Sequence, residues 1–411
     1  MLASVSGRRR PLLRLLAGLL TTCALLGLLA PPSQALGPDG LRARLSRAMG
    51  LAGPLAGAYV QDLDTGAALY ARKDTVPRPP ASVQKLYTTS TALLRFGPDA
   101  SLRTEILAAG AVDALGVLRG NLYLRGGGDP TLSRAKIAAL AATVAAQSGI
   151  VRVDGSVLGD ETLFDSRRGA ARTAFAFDRD IGGVLSGLAV GRGFSRDAAP
   201  ALEAARRFVK ALRAAGVRVD GRTGVGPTPV EAREVAGVDS PPMFELARLT
   251  NVPSDNFAAE MLLKALGAAF GGAGTTPAGA AVVRQQLSVF GIAPRVVDGS
   301  GLSRSNRTSP RQVVALLAGM HAQEEVGPAF ESSLAVAGRT GTARRRMRGT
   351  PAQDRCRTKT GTLRAVSALA GYCVTTAGRT VAFAMLMSTR KISRAHVLQD
   401  RMTAAIATYG S

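Results

Sequence analysis

Tryptophan is absent from the 411-residue sequence, and histidine occurs only twice, at His321 and His396. Both histidines fall in helix-like segments near the C-terminus. They are therefore predicted to be surface or helix-packing residues, which argues against a Ser-His-Asp triad. The few histidines and cysteines show no metal-ligand spacing, and neither a metal nor another cofactor is expected. Aromatic residues are only 4% of the chain, so the core must be built from Ala, Leu and Val.

Acidic residues are also scarce, with 29 against 52 lysines and arginines, and the formal charge is +23. Such an excess favours an anionic neighbourhood such as nucleic acid, anionic lipid or acidic cell-wall polymers. The arginines are spread over the whole chain. Because neither a basic helix interleaved with aromatics nor zinc-finger spacing is present, nucleic acid is not expected as a partner.

The first 35 residues are typical of a secretory signal. Three arginines at 8–10 precede an apolar run at 12–30, and residues 33–35 form a small-x-small cleavage site. A retained membrane anchor and a lipoprotein modified at Cys23 are alternatives, although Thr22 fits poorly before a lipidated cysteine. No later segment reaches the ~18 apolar residues that span a bilayer. The signal contains four arginines and no acidic residue, so its removal leaves a mature chain of charge +19 (23 − 4). This mature chain is expected to be secreted or periplasmic and wall-associated, without a stable membrane span.

The length of the chain predicts two or more domains. From about residue 102 to 235, short strand-like runs are separated by glycine turns, with one clear helix at 199–214. This stretch is predicted to be an insertion of one or two small, mostly β modules. Helices resume at 242, and the chain ends in three strands, 357–362, 367–375 and 380–387, followed by a helix at 394–409.

Ser82 and Lys85 form the first motif with catalytic potential. Two prolines precede a helix-like run from Ser82 to about residue 94, so both side chains lie on one face, about 5–6 Å apart at Cβ. At that distance an amine can take a proton from a hydroxyl. The pattern S-x-x-K is short and also arises by chance, as its second copy at Ser133 and Lys136 illustrates.

Two further motifs follow Ser82-x-x-Lys85 in order. They are Ser254-Asp255-Asn256, in a loop before a helix, and Lys359-Thr360-Gly361-Thr362, on a predicted strand. Each motif is weak alone, but the ordered set is the signature of class A β-lactamases and penicillin-binding proteins. The near-copies of the third motif at 222–224 and 339–341 begin with arginine, which cannot act as a neutral proton carrier.

With these motifs the sequence resembles the class C low-molecular-mass penicillin-binding proteins, which are exported D-alanyl-D-alanine carboxypeptidase/endopeptidases. The resemblance covers nearly the whole mature chain. It extends to these segments: Asp62-x-x-Thr65-Gly66, Gly127-Gly128-Asp129-Pro130-x-Leu132, Ala259-Glu260, Asp298-Gly299-Ser300-Gly301-Leu302-Ser303, Asn306-Arg307 and Leu369-Ala370-Gly371-Tyr372.

The resemblance implies an α/β multi-domain fold. A transpeptidase-like catalytic domain of the serine β-lactamase and DD-peptidase type, with an antiparallel sheet flanked by helices, would comprise residues 36–100 and 236–411. A β-rich insertion at 101–235 would interrupt it, after a signal peptide at 1–35. The long insertion between the first two motifs is also typical of the family.

The family resemblance also implies a role for each motif. Ser82 would attack the peptide carbonyl between two D-alanines, with Lys85 as the base. Ser254, assisted by Lys359, would pass a proton to the leaving amine, and Asn256 would hold Lys85 and the substrate amide.

The third motif would bind the substrate. The N–H groups of Ser82 and Thr362 would form an oxyanion hole, while the Thr360 and Thr362 hydroxyls would meet the terminal carboxylate beside Gly361. In the insertion, Asp160 and Phe164 resemble a segment that reaches the cleft, where the carboxylate would bind a side-chain amine. A turn acid without that role is the alternative.

The expected partners are peptidoglycan stem peptides, with β-lactam antibiotics as covalent inhibitors. The alternatives are a β-lactamase or esterase on the same fold and a catalytically idle wall-binding homologue. A class A β-lactamase uses the Glu of E-x-x-L-N, but none of the four asparagines here follows a leucine. Cys356 and Cys373 are predicted to face each other across a hairpin, either as a disulfide or as two reduced thiols.

Overall fold

The computed structural model describes residues 35–193 and 199–410. The predicted signal peptide, apart from Ala35, lies outside the described residues. Within those two ranges, no helix combines the length and the apolar character needed to cross a membrane.

The described chain contains strands in two sheets. In chain order the strands are β1 (Ala56–Asp62), β2 (Ala68–Arg72), β3 (Arg103–Val112), β4 (Val117–Arg125), β5 (Arg152–Val153), β6 (Val157–Asp160), β7 (Arg218–Val219), β8 (Thr223–Val225), β9 (Arg233–Asp239), β10 (Ala335–Val336), β11 (Cys356–Leu363), β12 (Val366–Val374) and β13 (Thr380–Ser388).

The helices follow the same order along the chain. They are α1 (Pro38–Ala52), α2 (Lys85–Phe96), α3 (Arg134–Gln147), α4 (Pro200–Ala214), α5 (Met243–Asn251), α6 (Asn256–Phe270), α7 (Thr276–Ser288), α8 (Pro310–His321), α9 (Gly327–Ser332) and α10 (Ile392–Ala407).

The first sheet joins strands from both ends of the chain in the order β10-β11-β12-β13-β1-β2, with every neighbouring pair antiparallel. Successive side chains of a strand point to opposite sides of a sheet, and here both sides are buried. On β12, Ala368 and Ala370 face the core that includes α2, α5, α6, α7 and α8. Leu369 between them faces the core of α1 and α10. The predicted antiparallel sheet flanked by helices is thus confirmed.

The hairpin β11–β12 has the register that was predicted from the sequence. Cys356 pairs directly with Cys373, and their sulfurs form a disulfide. The structure thus favours the disulfide over the two reduced thiols that the sequence had left open. The bond lies at one end of the strand that carries Lys359, Thr360 and Thr362.

The second sheet has the order β7-β5-β4-β3-β9; β6 also pairs with β4, and β8 pairs with β6. The helices α3 and α4 pack against this sheet. The helix α3 was not predicted from the sequence, because its alanine-rich run has no clear apolar and polar faces. Ser133 caps this helix by accepting a hydrogen bond from the backbone N–H of Lys136. The second S-x-x-K copy is therefore a helix cap, and the last strand of this sheet ends at Asp239.

Candidate active site

Ser82 lies in a 3-10 turn, Ala81–Gln84, that leads into α2, rather than in the first turn of a regular helix as predicted. Ala81 adopts a left-handed conformation with φ 49°. Gly301 packs so closely here that a Cβ on it would lie 1.9 Å from the carbonyl oxygen of Ala81. The loop around Gly301 therefore fixes the turn that presents Ser82.

Lys85 is fully buried beside Ser82. Its Nζ lies 3.0 Å from Ser82 Oγ, 2.6 Å from Asn256 Oδ1 and 2.6 Å from the carbonyl oxygen of Ser300. The last two atoms only accept hydrogen bonds. A neutral amine has two N–H donors and one lone pair, so it can donate to both acceptors while its lone pair receives the Ser82 proton.

The electrostatic environment of Lys85 favours that neutral form. Burial lowers the pKa of Lys85 to about 8, against the opposing influence of Asp298, Glu260 and Asp255. Desolvation penalises the ammonium form, because a buried charge loses its hydration. Around neutral pH a useful fraction of this lysine is therefore an unprotonated base.

Two buried carboxylates shape the loop below Lys85. Glu260 Oε1 accepts the N–H groups of Gly299 and Ser300 at 3.1 and 2.8 Å. Asp298 accepts the N–H groups of Gly301 and Ser303 at 2.9 and 2.6 Å. Burial raises the pKa of both carboxyl groups. They hold the Ser300 carbonyl toward Lys85, a role that the quoted family segments did not reveal.

Ser254 occupies a strained turn immediately before α6, with φ 64°. Asp255 caps that helix by accepting the N–H of Ala258 at 3.0 Å, and Asn256 is its first residue. Strain in non-glycine residues often marks functional positions. The turn directs Ser254 and Asn256 toward the same cleft as Ser82.

Lys359 reaches this turn from β11. Its Nζ donates to Ser254 Oγ at 2.8 Å and to the carbonyl oxygen of Thr360 at 2.9 Å. Burial, and then the charge of Lys85, lower the pKa of Lys359 well below its usual value. The second amine is thus linked to Ser254 as the first is to Ser82.

Gly361 brings β11 against the Ser82 turn. A Cβ at Gly361 would lie 2.7 Å from the carbonyl oxygen of Pro80 and 3.0 Å from the Ser82 nitrogen. Such contacts are too short for a real side chain, so only glycine allows this approach. The backbone N–H groups of Ser82 and Thr362 are thereby carried on adjoining segments.

We expect Gly361→Ala to push β11 away from the nucleophile and to reduce acylation by penicillin about 10²-fold, the usual effect of a misplacement of about 1 Å. Because Gly361 lies within the paired strand β11, we expect the variant to stay folded. Its melting temperature should change little while the acylation rate falls. Gly50→Ala in α1, where a Cβ meets nothing within 4 Å and the backbone is helical, is the control for glycine removal. Equal rates in both variants would contradict the packing argument.

One cleft of about 320 Å³ joins the motifs. Its described lining consists of Ser82, Ser254, Asn256, Thr342, Arg346, Thr360, Thr362 and His396. Thr342, Arg346 and His396 were not predicted from the sequence. His396 was expected at the surface or in helix packing, but the structure places it beside the cleft.

A segment between β6 and α4 also adjoins this cleft, and it was not identified from the sequence. The carbonyl oxygen of Asp180 accepts a hydrogen bond from Asn256 Nδ2 at 2.7 Å. Arg192 pairs with Asp255 on the neighbouring turn. Residues near 180–192 thus adjoin the second motif.

Asp160 and Phe164, which were predicted to reach the cleft, are not among its lining residues. Asp160 is buried, and both of its carboxylate oxygens accept hydrogen bonds from the backbone and hydroxyl groups of Thr162 and Thr228. These bonds hold the pKa of Asp160 below its usual value despite burial. Phe164 is also buried and packs in the core. Asp160 thus ties the end of β6 to Thr228, while Phe164 packs with the helices beside the first sheet.

We therefore expect Asp160→Ala to lower the free energy of unfolding by about 1–3 kcal/mol, because it leaves buried donors without an acceptor. The value of kcat/KM for a D-Ala-D-Ala peptide should change less than twofold. Thermal melting and steady-state kinetics measure the two effects. A large loss of kcat/KM in a protein that melts normally would support a substrate-binding role for Asp160.

Comparison with known proteins identifies relatives of the chain. The D-Ala-D-Ala carboxypeptidase 3 (S13) family profile matches residues 41–176 and 181–409. A D-alanyl-D-alanine carboxypeptidase from Actinomadura sp. is 32% identical over 87% of this chain and 82% of that protein. Carboxypeptidase DacB from Mycolicibacterium smegmatis is also 32% identical, over 80% of this chain and 75% of its own length.

Solved structures share the fold at lower identity. Penicillin binding protein 4 from Haemophilus influenzae aligns with a TM-score of 0.76 and 20% identity, over 89% of this chain and 99% of that chain. Its complex with a novel β-lactam aligns with a TM-score of 0.71 and 20% identity, over 90% and 100% of the two chains.

Proposed function

The chain belongs to the D-Ala-D-Ala carboxypeptidase 3 (S13) family, and from this premise we propose how its cleft acts as a serine DD-peptidase of peptidoglycan. Ser82 cleaves the D-Ala-D-Ala bond of stem peptides, or a D-Ala-diamino-acid cross-link, through an acyl-enzyme. One observation carries the proposal. Lys85 Nζ lies 3.0 Å from Ser82 Oγ, and its two other partners can only accept hydrogen bonds.

Acylation begins when Ser82 Oγ attacks the carbonyl carbon of the penultimate D-alanine. Neutral Lys85 takes the hydroxyl proton as the new C–O bond forms. The carbonyl oxygen becomes negative, and the backbone N–H groups of Ser82 and Thr362 stabilise it.

Collapse of the tetrahedral intermediate breaks the C–N bond. The leaving nitrogen takes a proton from Ser254, whose hydroxyl Lys359 holds across a 2.8 Å hydrogen bond. The proton that Lys85 took from Ser82 is passed on to Ser254, so Lys85 is neutral again. The terminal D-alanine leaves as an amine, and Ser82 keeps the acyl group. Water then attacks the ester while neutral Lys85 accepts its proton. As the ester C–O bond breaks, Lys85 returns this proton to Ser82 Oγ, so the peptide acid is released and the hydroxyl of Ser82 is restored.

Asn256 and β11 orient the peptide for this attack. The substrate amide requires the Nδ2 group of Asn256, so it displaces the carbonyl oxygen of Asp180 from that group. The Oδ1 atom continues to hold Lys85. Thr360 and Thr362 on β11 offer hydroxyls to the terminal carboxylate.

β-Lactams are covalent inhibitors in this proposal. The related Haemophilus protein has been solved with a β-lactam. When Ser82 opens the ring, the leaving nitrogen stays tethered to the acyl group and obstructs water. Because the chain lacks the E-x-x-L-N motif that supplies a second base in class A β-lactamases, we expect the penicilloyl-enzyme to be released slowly. Rapid turnover of penicillin by purified protein would contradict this and favour a β-lactamase.

The charge and the family favour a site of action outside the cytoplasm. The chain belongs to a bacterial cell-wall peptidase family, and +23 is suited to the anionic polymers of a wall. We propose that the mature protein is secreted or periplasmic and stays near its peptidoglycan substrate, with no need for a nucleic-acid partner.

Purified muropeptides test the activity directly. The protein is incubated separately with a monomeric pentapeptide and with a D-Ala-cross-linked dimer, and the products are identified by mass. Loss of one alanine from the monomer demonstrates carboxypeptidase activity, and conversion of the dimer to monomers demonstrates endopeptidase activity. Failure to cleave either substrate, in a protein that penicillin does not label, would support the idle wall-binding alternative.

A further inference from the structure

Arg346 and His396 line the same cleft as Ser82, yet the proposed reaction uses neither of them. Arg346 belongs to the segment that leads from β10 to β11, and His396 belongs to α10. Both therefore line the cleft together with Thr360 and Thr362 of β11.

Three residues of α10 hold the guanidinium of Arg346 in place. Its Nε donates to Asp400 Oδ1 at 2.8 Å, and its Nη2 donates to Gln399 Oε1 and to the carbonyl oxygen of His396 at 3.2 and 3.0 Å. Positions 396, 399 and 400 share one face of the helix. Nη1 has no hydrogen-bond partner among the described residues, so it remains available to a ligand.

The same network reaches the third catalytic motif. Gln399 also accepts a hydrogen bond from Ser367 Oγ at 3.2 Å, and both residues are fully buried. Ser367 on β12 pairs directly with Thr362 on β11. Arg346 is thus anchored to the part of the sheet that positions the Thr362 hydroxyl.

This corner of the cleft has the donor groups of an anion site. The hydroxyls of Thr360 and Thr342 are hydrogen-bonded to each other at 2.7 Å. No carboxylate is among the described lining residues. Burial and the charge of Arg346 lower the pKa of His396, against the opposing effect of Asp400. The ring is therefore neutral at pH 7 and offers an N–H donor.

We propose that Arg346, assisted by His396, binds the carboxylate attached one carbon from the scissile nitrogen, together with the hydroxyls of Thr342, Thr360 and Thr362. This group is the terminal carboxylate of D-Ala-D-Ala, or the α-carboxylate on the amine side of a cross-link. Arg346 therefore selects peptides in which that carboxylate is free. The inference rests on the proposed DD-peptidase function and adds two specificity-determining residues to it.

Two substrates that differ in one group test this inference. One is an N-acylated D-Ala-D-Ala peptide with a free carboxylate, and the other is the same peptide as its C-terminal carboxamide. Arg346→Met should reduce the carboxylate-to-carboxamide ratio of kcat/KM about 10- to 100-fold, because a hydrogen bond to a charged group is lost. The rate with the carboxamide should stay within about twofold.

Arg345→Met is the matched control. Arg345 is the exposed neighbour of Arg346, and its replacement removes the same charge without changing the cleft lining. It should keep the wild-type ratio. Arg346→Lys keeps a charge but not the planar fork, so its ratio should fall between those of wild type and Arg346→Met.

Each outcome decides the question. If Arg346→Met melts early, His396→Ala replaces it as the test, and its ratio should fall less but in the same direction. An unchanged ratio in a folded Arg346→Met or His396→Ala variant overturns the inference. Failure of the proposed function gives a different result, since wild-type protein would then cleave neither peptide and would not be labelled by penicillin.

Discussion

Replacing Ser82 by alanine is expected to abolish labelling by fluorescent penicillin and to lower D-Ala-D-Ala hydrolysis on the order of a millionfold, as loss of a serine nucleophile does elsewhere. The effect is this large because Ser82 is the proposed nucleophile, with the buried amine of Lys85 at 3.0 Å and the backbone of β11 beside it. Gel fluorescence and steady-state kinetics measure the two quantities.

The second S-x-x-K copy supplies the matched control for this variant. Ser133→Ala removes a helix cap, so it should cost about 1 kcal/mol of stability and leave labelling intact. Labelling that persists in Ser82→Ala, or disappears in Ser133→Ala, would move the nucleophile elsewhere in the chain.

Acylation by penicillin is expected to depend on pH through Lys85. As the pH falls below about 8, this amine gains a proton and loses its lone pair, so the rate should fall about tenfold per pH unit and level off above 8. Lys85→Met should lower the rate about 10²- to 10⁴-fold and abolish this slope. Stopped-flow or quenched labelling over pH 5–10 measures both.

Lys264→Met tests whether loss of any buried lysine has this effect. Lys264 is also fully buried and burial also lowers its pKa, but it pairs with Asp165 at 2.6 Å outside the cleft lining. This variant should be less stable while its pH profile keeps the wild-type form. A wild-type profile without a rise near pH 8 would assign the base to another group.

The sequence was sufficient for the parts of the site that chemistry restricts to a few residue types. Ser82, Lys85, Ser254 and Lys359 are needed in a fixed order, and the structure brings them into two hydrogen-bonded pairs. Whether each has the proposed role remains for the variants to show. The register of the β11–β12 hairpin was also predictable, because a short turn leaves little freedom in pairing.

Other parts depended on packing that no local pattern contains. Arg346 is one of several arginines in a short basic run, and only its anchorage on α10 distinguishes it from Arg345. The partners of Asp160 could not be predicted, because a turn sequence does not reveal which groups its carboxylate meets in the fold. The helix α3 was not predicted because alanine is compatible with both a buried and an exposed position, so the run shows no apolar face.

The order of strands has a consequence for how the enzyme matures. β1, at the start of the described chain, pairs along its length with β13, near its end, so the sheet closes only when both segments are present. Contacts this distant in sequence form slowly. A nascent polypeptide that lacks β11 and β13 consequently carries Ser82 without Thr362 beside it. Hydrolytic competence thus arrives only with the completed chain.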